Sequence, residues 1–450
     1  MAKVSMDPLR SLKRRKSVAA QDVEAMQRQL ESMPLREVTG LVERTAPAEG
    51  AKVLRMLPPE RSLAVFDVLD PGHQADIIAA LGDDSVVSYF GSIGAEDRVA
   101  LLDNLPAEMA ERLLAQLGED DQRVTNVVLG YQKGSVGRAM SPAVPEVTPE
   151  MTVQQVVDML RADVEKLETI YTIPVINDDR ELVGVTTLRR LFRSFSDDTI
   201  ADVVEPAASV TATDEVEDAA RWLMSTDLLA VPVVDEDNRL VGILTYDEAQ
   251  DVVEHADTED SARLGASEPL GKPYLSTPLV QLVRSRIVWL LVLAVSATLT
   301  VQVLDIFEDT LAQAVVLSLF IPLLTGTGGN TGNQAATTVT RALALGDVHK
   351  RDVLSVMWRE LRVGMMLGAA LGVIGLGAAT VFFGSDIGVV IGATLFLVCS
   401  ISATVGGVMP LVAKAVGADP AVFSNPFIST FCDAAGLIVY FLIAKTVLGL

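Results

Sequence analysis

Residues 321–334, IPLLTGTGGNTGNQ, decide how the chain folds. They lie inside a run with no charged residue from Thr310 to Thr340. As a single helix at ~1.5 Å per residue that run would measure roughly 46 Å, well beyond a ~30 Å hydrocarbon core. Pro322, Gly326, Gly328, Gly329 and Gly332 crowd into one patch, which predicts a break in the helix. Within a membrane, irregular backbone survives only where protein covers it or where it lines a watery path. Asn330, Asn333 and Gln334 place acceptors there that can grip a hydration shell. The stretch reads as a permeation pathway; the plain alternative is a kink packed against small residues.

The charge is unevenly placed. The chain has 450 residues and a formal net charge of −23. Positions 281–450 hold nine basic and nine acidic residues, so the whole excess belongs to the first 280. An acidic soluble part is followed by a membrane part. Five charge-poor segments, broadly 287–304, 310–340, 363–385, 387–413 and 420–444, are each long enough to span. Arg341, Lys350, Arg351, Arg359 and Arg362 fall between the second and third, whereas Asp305, Glu308, Asp309 and Asp386 mark the opposite loops. The positive-inside rule then puts residues 1–286 in the cytoplasm and the C-terminus outside. The basic N-terminal segment has no apolar stretch behind it and reads as a disordered tail over 1–19, not a cleavable signal. Cys399 and Cys432, both within spans, are too few for a disulfide framework or a structural zinc site.

Two repeats organise the soluble part. Leu57, Leu69, Leu81, Ile93, Leu105, Leu117 and Leu129 recur every twelve residues, most of them followed by turn or helix-starting residues. Twelve residues make one short helix and a tight turn, so 20–136 reads as an all-α superhelical domain, acidic overall. Then TIPVINDDRELVGVTTL (172–188) and AVPVVDEDNRLVGILTY (230–246) align without gaps at an offset of 58. Each reads strand, acidic turn, strand, helix, and the pair resembles tandem CBS domains over 137–252. Such pairs often bind ATP or another adenosine nucleotide between their repeats; the alternative is a dimerising spacer. EHADTEDSARLGASEP (254–269) reads as an acidic helix within a linker, 253–280, that leads to the first span of a pore domain covering 281–450.

One carboxylate lies deep within a span. Asp433 has no charged neighbour from 420 to 432 or from 434 to 444. Burying it alone at mid-depth costs several kcal/mol, so it should face a bundle interior or a wet cavity. Arg341, Lys414 and Lys445 sit at span ends and offer it no partner at similar depth. In a two-fold dimer with the pore on the axis, Asp433 would present two negative charges to one divalent cation. Mg²⁺ gives up its waters reluctantly, so carboxylates and amides that contact its hydration shell suit it better than a tight cage. Asn333 and Asn425 are the amides best placed to help.

The order of helical acidic domain, CBS pair, acidic linker helix and five spans resembles the MgtE family of magnesium channels. GTGGNTGNQAAT (326–337) and DPAVFSNP with FCDAAGLIVY (419–440) are similar to its two signature pieces. The resemblance implies a homodimer with one central pore, set in lipid in the inner membrane of a prokaryotic cell, with no nucleic-acid partner. It puts the pore aspartate on Asp433 and the pore-lining positions on Gly329, Asn333, Thr337 and Asn425. It implies that cytosolic Mg²⁺ joins the acidic domains and holds the linker helix, or plug, against the pore. The sensing carboxylates implied are Glu217, Asp227, Asp247, Glu248, Asp251, Glu259, Asp260 and Asp419. One plug carboxylate of the family pattern is Ala256 here, with Asp257 beside it as a stand-in. The N-domain partners are Glu96, Asp97 and Asp103 as candidates only.

Other functions compete with this one. An intramembrane metalloprotease needs a histidine pair in a span, and His73, His255 and His349 all lie elsewhere. That excludes an enzyme of this kind. A non-conducting membrane sensor would need neither Asp433 nor the glycine patch. Co²⁺, Mn²⁺ or Zn²⁺ could replace Mg²⁺ as cargo, but hard oxygen ligands dominate the path and favour Mg²⁺.

Overall fold

The structure is a computed structural model and describes residues 20–81, 83–417 and 425–450. The expected tail, 1–19, and Asp419 lie outside the described residues. The chain divides into two compact units: residues up to His255 with Leu270–Pro278, and Ala256–Pro269 with Leu279–Leu450.

In the first unit the twelve-residue period is a period of helices. Helices begin at Leu35, Pro47, Pro59, Pro71, Asp83, Ala95, Ala107 and Glu119. A proline at the first helical position loses no intrahelical bond, because that N–H has no partner anyway. Leu57, Leu69, Leu81 and Ile93 end successive turns and are buried together with Phe66 and Phe90. Leu105, Leu117 and Leu129 pack on the same core from its edge. Helices of eight to eleven residues are marginal alone, so this shared core is what keeps them helical.

The CBS repeats keep their offset of 58 at atomic detail. Strands β1 (Thr172–Ile176) and β2 (Leu182–Thr187) form an antiparallel hairpin in the same register, with the same bulge, as β4 (Ala230–Val234) and β5 (Leu240–Thr245). The short strand β3 (Val210–Thr211) adds parallel to β4. Each hairpin turn closes through a residue with positive φ, Arg180 at 63° and Asn238 at 62°. The two turns bond to each other: Leu182 N–H donates to Asn238 O and Leu240 N–H to Arg180 O, both at 2.9 Å. The repeats are thereby joined by a pseudo-two-fold pairing of backbone.

One helix, Tyr246–Leu264, continues from the second repeat into the acidic linker. The expected helix over 254–269 therefore starts earlier and ends sooner. Gly265, Ala266 at φ 54° and Pro269 stop it. Beyond the stop, Glu268 N–H donates to Ser285 O and the Trp289 indole N–H to Glu268 Oε1, both at 2.8 Å, tying this end to the first apolar helix. The following segment belongs to the first unit, where Lys272 Nζ lies 2.6 Å from Asp76.

In the second unit four helices among the described residues are long and apolar enough to cross a membrane: Leu279–Ile306, Lys350–Phe383, Ser385–Ala415 and Phe427–Leu448. The expected second span differs. Helix Glu308–Gln313 is followed by a 3₁₀ segment, Val315–Phe320, and then by helix Ile321–Ala344, which is long enough but too rich in Thr, Asn and Gly to qualify by hydropathy. A count of five does not follow from length and composition. Nor is the glycine patch the break. The backbone departs from α geometry upstream, at Ala314 (φ −135°, ψ 74°), and the patch itself is helical. Pro322 opens that helix where its missing N–H is harmless. Each glycine costs about 1 kcal/mol of helix propensity, a cost that tight packing offsets. Gly328 and Gly332 are buried, and Gly406 abuts the Gly332 carbonyl.

The closest packing joins Val353–Phe383 to Ser385–Ala415, which reverse directly through Gly384 at φ 95°. Gly364, Gly368 and Gly372 recur every fourth residue on one face. A Cβ at each would lie 2.6–2.8 Å from a carbonyl oxygen, of Cys399, Phe396 and Gly392 in turn. Small residues at this spacing let membrane helices approach backbone to backbone. Gly368→Val should therefore destabilise this unit by about 1–3 kcal/mol or more, read as a lower thermal midpoint of the detergent-solubilised protein.

Candidate metal centres

The first centre joins the helical domain to the CBS pair, within the first unit. Glu96 and Asp97 stand in the first turn of helix Ala95–Leu102, and Glu248 in the first turn of helix Tyr246–Leu264. One ligand oxygen from each lies within 4.8 Å of the other two. Both helix N-termini bring partial positive charge to the carboxylates, which eases their crowding. No lysine or arginine among the described residues pairs with them. The adjacent guanidinium of Arg98 is committed elsewhere, to Ile93 O, Thr125 Oγ1 and Asp121 Oδ1.

The charge is therefore poorly compensated. Burial pushes the Glu248 carboxyl up to about 9, and Asp97, Glu96, Asp251 and Glu168 add to the effect. Burial likewise raises Glu96 to about 8, assisted by Glu168 and Asp97. Asp97 rises to about 6, through burial and then Asp67, Glu168 and Asp251. Glu96 Oε2 is buried with no hydrogen-bond partner. Three carboxylates, with Glu96 Oε2 unpartnered and the neighbouring Arg98 bonded elsewhere, suit a divalent metal ion of the Mg²⁺ kind. Glu96, Asp97 and Glu248 would hold it.

The sequence candidates divide accordingly. Asp251 acts on the charge of Glu248 and Asp97, and Asp247 on that of the neighbouring Glu168. Asp103 does not join it; Lys133 and a two-pronged contact from Arg138 neutralise it. Glu217 pairs with Arg221 at 2.8 Å, and Asp227 is exposed. On the linker helix Glu259 pairs with Arg263, Asp260 is partly buried, and Asp257 meets Arg341 at 3.2 Å. Glu168 and Asp67 enter the field of the first centre without having been singled out in the sequence. Each is one acidic residue among fifty in that part of the chain, so no pattern marks them.

The second centre lies between helices Ile321–Ala344 and Asn425–Leu448. A Cβ on Gly329 would stand 3.7 Å from Asp433 Oδ1 and 3.8 Å from Ser429 Oγ. Asn333, one turn further on, donates from Nδ2 to Ser429 Oγ at 3.0 Å. Its Oδ1 is buried and has no hydrogen-bond partner. Thr337 sits a turn beyond, exposed, as are Asn330 and Gln334. Asn425 opens the last helix, and its side chain lies outside the described residues. The structure thus brings Gly329, Asn333 and Asp433 to one place. Tyr440, on the same last helix, donates its hydroxyl to Leu317 O at 2.9 Å and so holds the 3₁₀ segment.

Comparison with known proteins identifies the family. The MgtE profile of divalent cation transporters matches residues 321–443, the MgtE intracellular N domain matches 33–134, and CBS domains match 136–197 and 200–254. The magnesium transporter MgtE of Thermus thermophilus is 31% identical over 431 residues, 95% of this chain and 96% of that protein. The magnesium transporter MgtE of Bacillus subtilis is 28% identical over 425 residues, 91% and 94% of the two chains. Among solved structures, the cytosolic domain of the Mg²⁺ channel MgtE in complex with ATP covers 54% of this chain and 98% of its own, at 27% identity and a TM-score of 0.49. Apolar helices around Asp433, in a chain with an acidic N-terminal half and a match to divalent cation transporters, mark a membrane transporter of divalent cations rather than an enzyme. With nearly full-length identity at this level, the chain belongs to the MgtE family of magnesium transporters.

The first centre also predicts a pH dependence. A carboxyl whose folded value is raised contributes most to stability below its unfolded value, 4.5 for Glu, and loses that contribution as pH rises through the folded value. In metal-free buffer the thermal midpoint of the whole chain should fall between pH 6 and 9. Glu248→Gln should flatten that fall; an equal slope in the variant would remove Glu248 as its source.

Proposed function

We propose that the chain forms a Mg²⁺-selective channel in the cell membrane that admits the ion and closes when cytosolic Mg²⁺ is high. The observation that carries the reading is Asp433 on one helix facing bare Gly329 on another, with the unpartnered Asn333 oxygen one turn away. A carboxylate in that setting attracts a cation, and the amide oxygen accepts from the waters around it. Glycine at 329 puts no side chain between its helix and the Asp433 carboxylate. Uptake needs no chemical fuel, since two charges crossing an inside-negative 100 mV gain roughly 4.6 kcal/mol. Asn330, Gln334 and Thr337 form an exposed polar stripe on the glycine-rich helix. That stripe supports a second copy of the chain across a two-fold axis, so that each subunit supplies half of the path.

Gating rests on the first centre. Without a metal ion, Glu96 and Glu248 keep their protons near neutral pH at the seam between the helical domain and the CBS pair. A divalent cation displaces those protons, is held by all three carboxylates and so fixes the seam. Helix Tyr246–Leu264 carries Glu248 at its start and Asp257, the partner of Arg341, further along. Arg341 lies in the last turn of the glycine-rich helix, where Asp257 pairs with it. Closure then draws on the difference in ion affinity between the two states.

Two measurements test this reading. Asp433→Asn should abolish or strongly reduce Mg²⁺ flux into liposomes while the protein remains inserted and monodisperse; wild-type flux would sink the pore assignment. Glu96→Gln with Glu248→Gln should move Mg²⁺-dependent inhibition to higher concentration, by about tenfold for each 1.4 kcal/mol of ion binding removed. An unchanged inhibition curve would take the sensor away from this seam.

A further inference from the structure

We propose that Ser429 is a positioning residue for permeation: its hydroxyl holds the Asn333 amide so that Oδ1 is turned to the passing ion. This rests on the pore reading above. Ser429 and Asp433 stand four residues apart on the last helix and share one face. Gly329 and Asn333 stand four apart on the glycine-rich helix. The two pairs meet, since the Gly329 position adjoins both Asp433 Oδ1 and Ser429 Oγ.

A primary amide has a donor end and an acceptor end of nearly equal size, and only its hydrogen bonds decide which faces where. For Asn333 the donor end is engaged, through Nδ2 to Ser429 Oγ at 3.0 Å. The acceptor end, Oδ1, is buried and without a donor. A buried acceptor left this way is costly, so it implies something that supplies positive charge or O–H donors. The waters of a hydrated cation direct their hydrogens outward and do so. An amide rotated by half a turn would instead present NH₂ to that cation and repel it. Through this bond Ser429 holds the Asn333 side chain in place without contacting the ion itself, and Asp433 beside it supplies the attraction.

The test measures initial Mg²⁺ flux against Mg²⁺ concentration in liposomes loaded with a Mg²⁺-sensitive dye. Ser429→Ala should raise the half-saturating Mg²⁺ by about fivefold or more, the equivalent of one lost hydrogen bond. Ser429→Thr, which keeps the hydroxyl, should restore the wild-type value to within about twofold. A wild-type half-saturation in Ser429→Ala, or a threonine variant no better than alanine, overturns the proposal. Should Ser429→Ala fail to give a monodisperse protein, Ser429→Cys carries the same expectation, because a thiol is close in size but a weak acceptor. Asp433→Asn run in parallel separates the two readings. Full flux in Asp433→Asn would defeat the pore assignment itself; a dead Asp433→Asn beside a normal Ser429→Ala would defeat only the role of Ser429.

Discussion

Asp433 lies among apolar helices with no basic partner among the described residues, while Glu96, Asp97 and Glu248 crowd together as Arg98 turns away. Negative charge kept from water without a fixed counter-charge is costly unless a mobile cation can reach it. Both centres share that condition. Elsewhere an arginine answers a carboxylate directly, as Arg138 does Asp103 and Arg221 does Glu217. The distribution of arginines therefore matters as much as that of the acids.

The membrane helices accommodate such a site by being narrow. Gly364, Gly368 and Gly372 let two helices approach until side chains are excluded from the seam, and Gly332 against Gly406 does the same for the glycine-rich helix. Backbone contact at these points makes the bundle rigid, because a packed interior has few intermediate arrangements. The 3₁₀ stretch from Val315 to Phe320 is held by the Tyr440 hydroxyl and by hydrophobic neighbours.

Between the two units runs a linker divided in its loyalties. Its helix starts as part of the second CBS repeat, its middle is bonded to the first apolar helix through Glu268, and its last segment is bonded to the helical domain through Lys272 and Asp76.

Much of this was legible in the chain as written. A twelve-residue leucine period needs only local geometry to become a row of helices, and two segments offset by 58 fold alike because like sequences make like hairpins. The charge imbalance separates soluble from membrane residues, and a lone Asp in an apolar run signals function by its cost alone. The glycine patch misled, since propensity predicts a break where packing against Gly406, Ile428 and Cys432 enforces a helix. First-turn acids recur along the helical repeat, at Glu60, Glu96, Glu108 and Glu119, and nothing in the period distinguishes them. Only the tertiary structure buries Glu96 beside Glu248, and only it hands Asn333 to Ser429. Sequence thus determined the elements and the location of their charge, because both follow from near neighbours. Which carboxylates meet, and which way an amide faces, depends on residues far apart in the chain, and folding alone decided them.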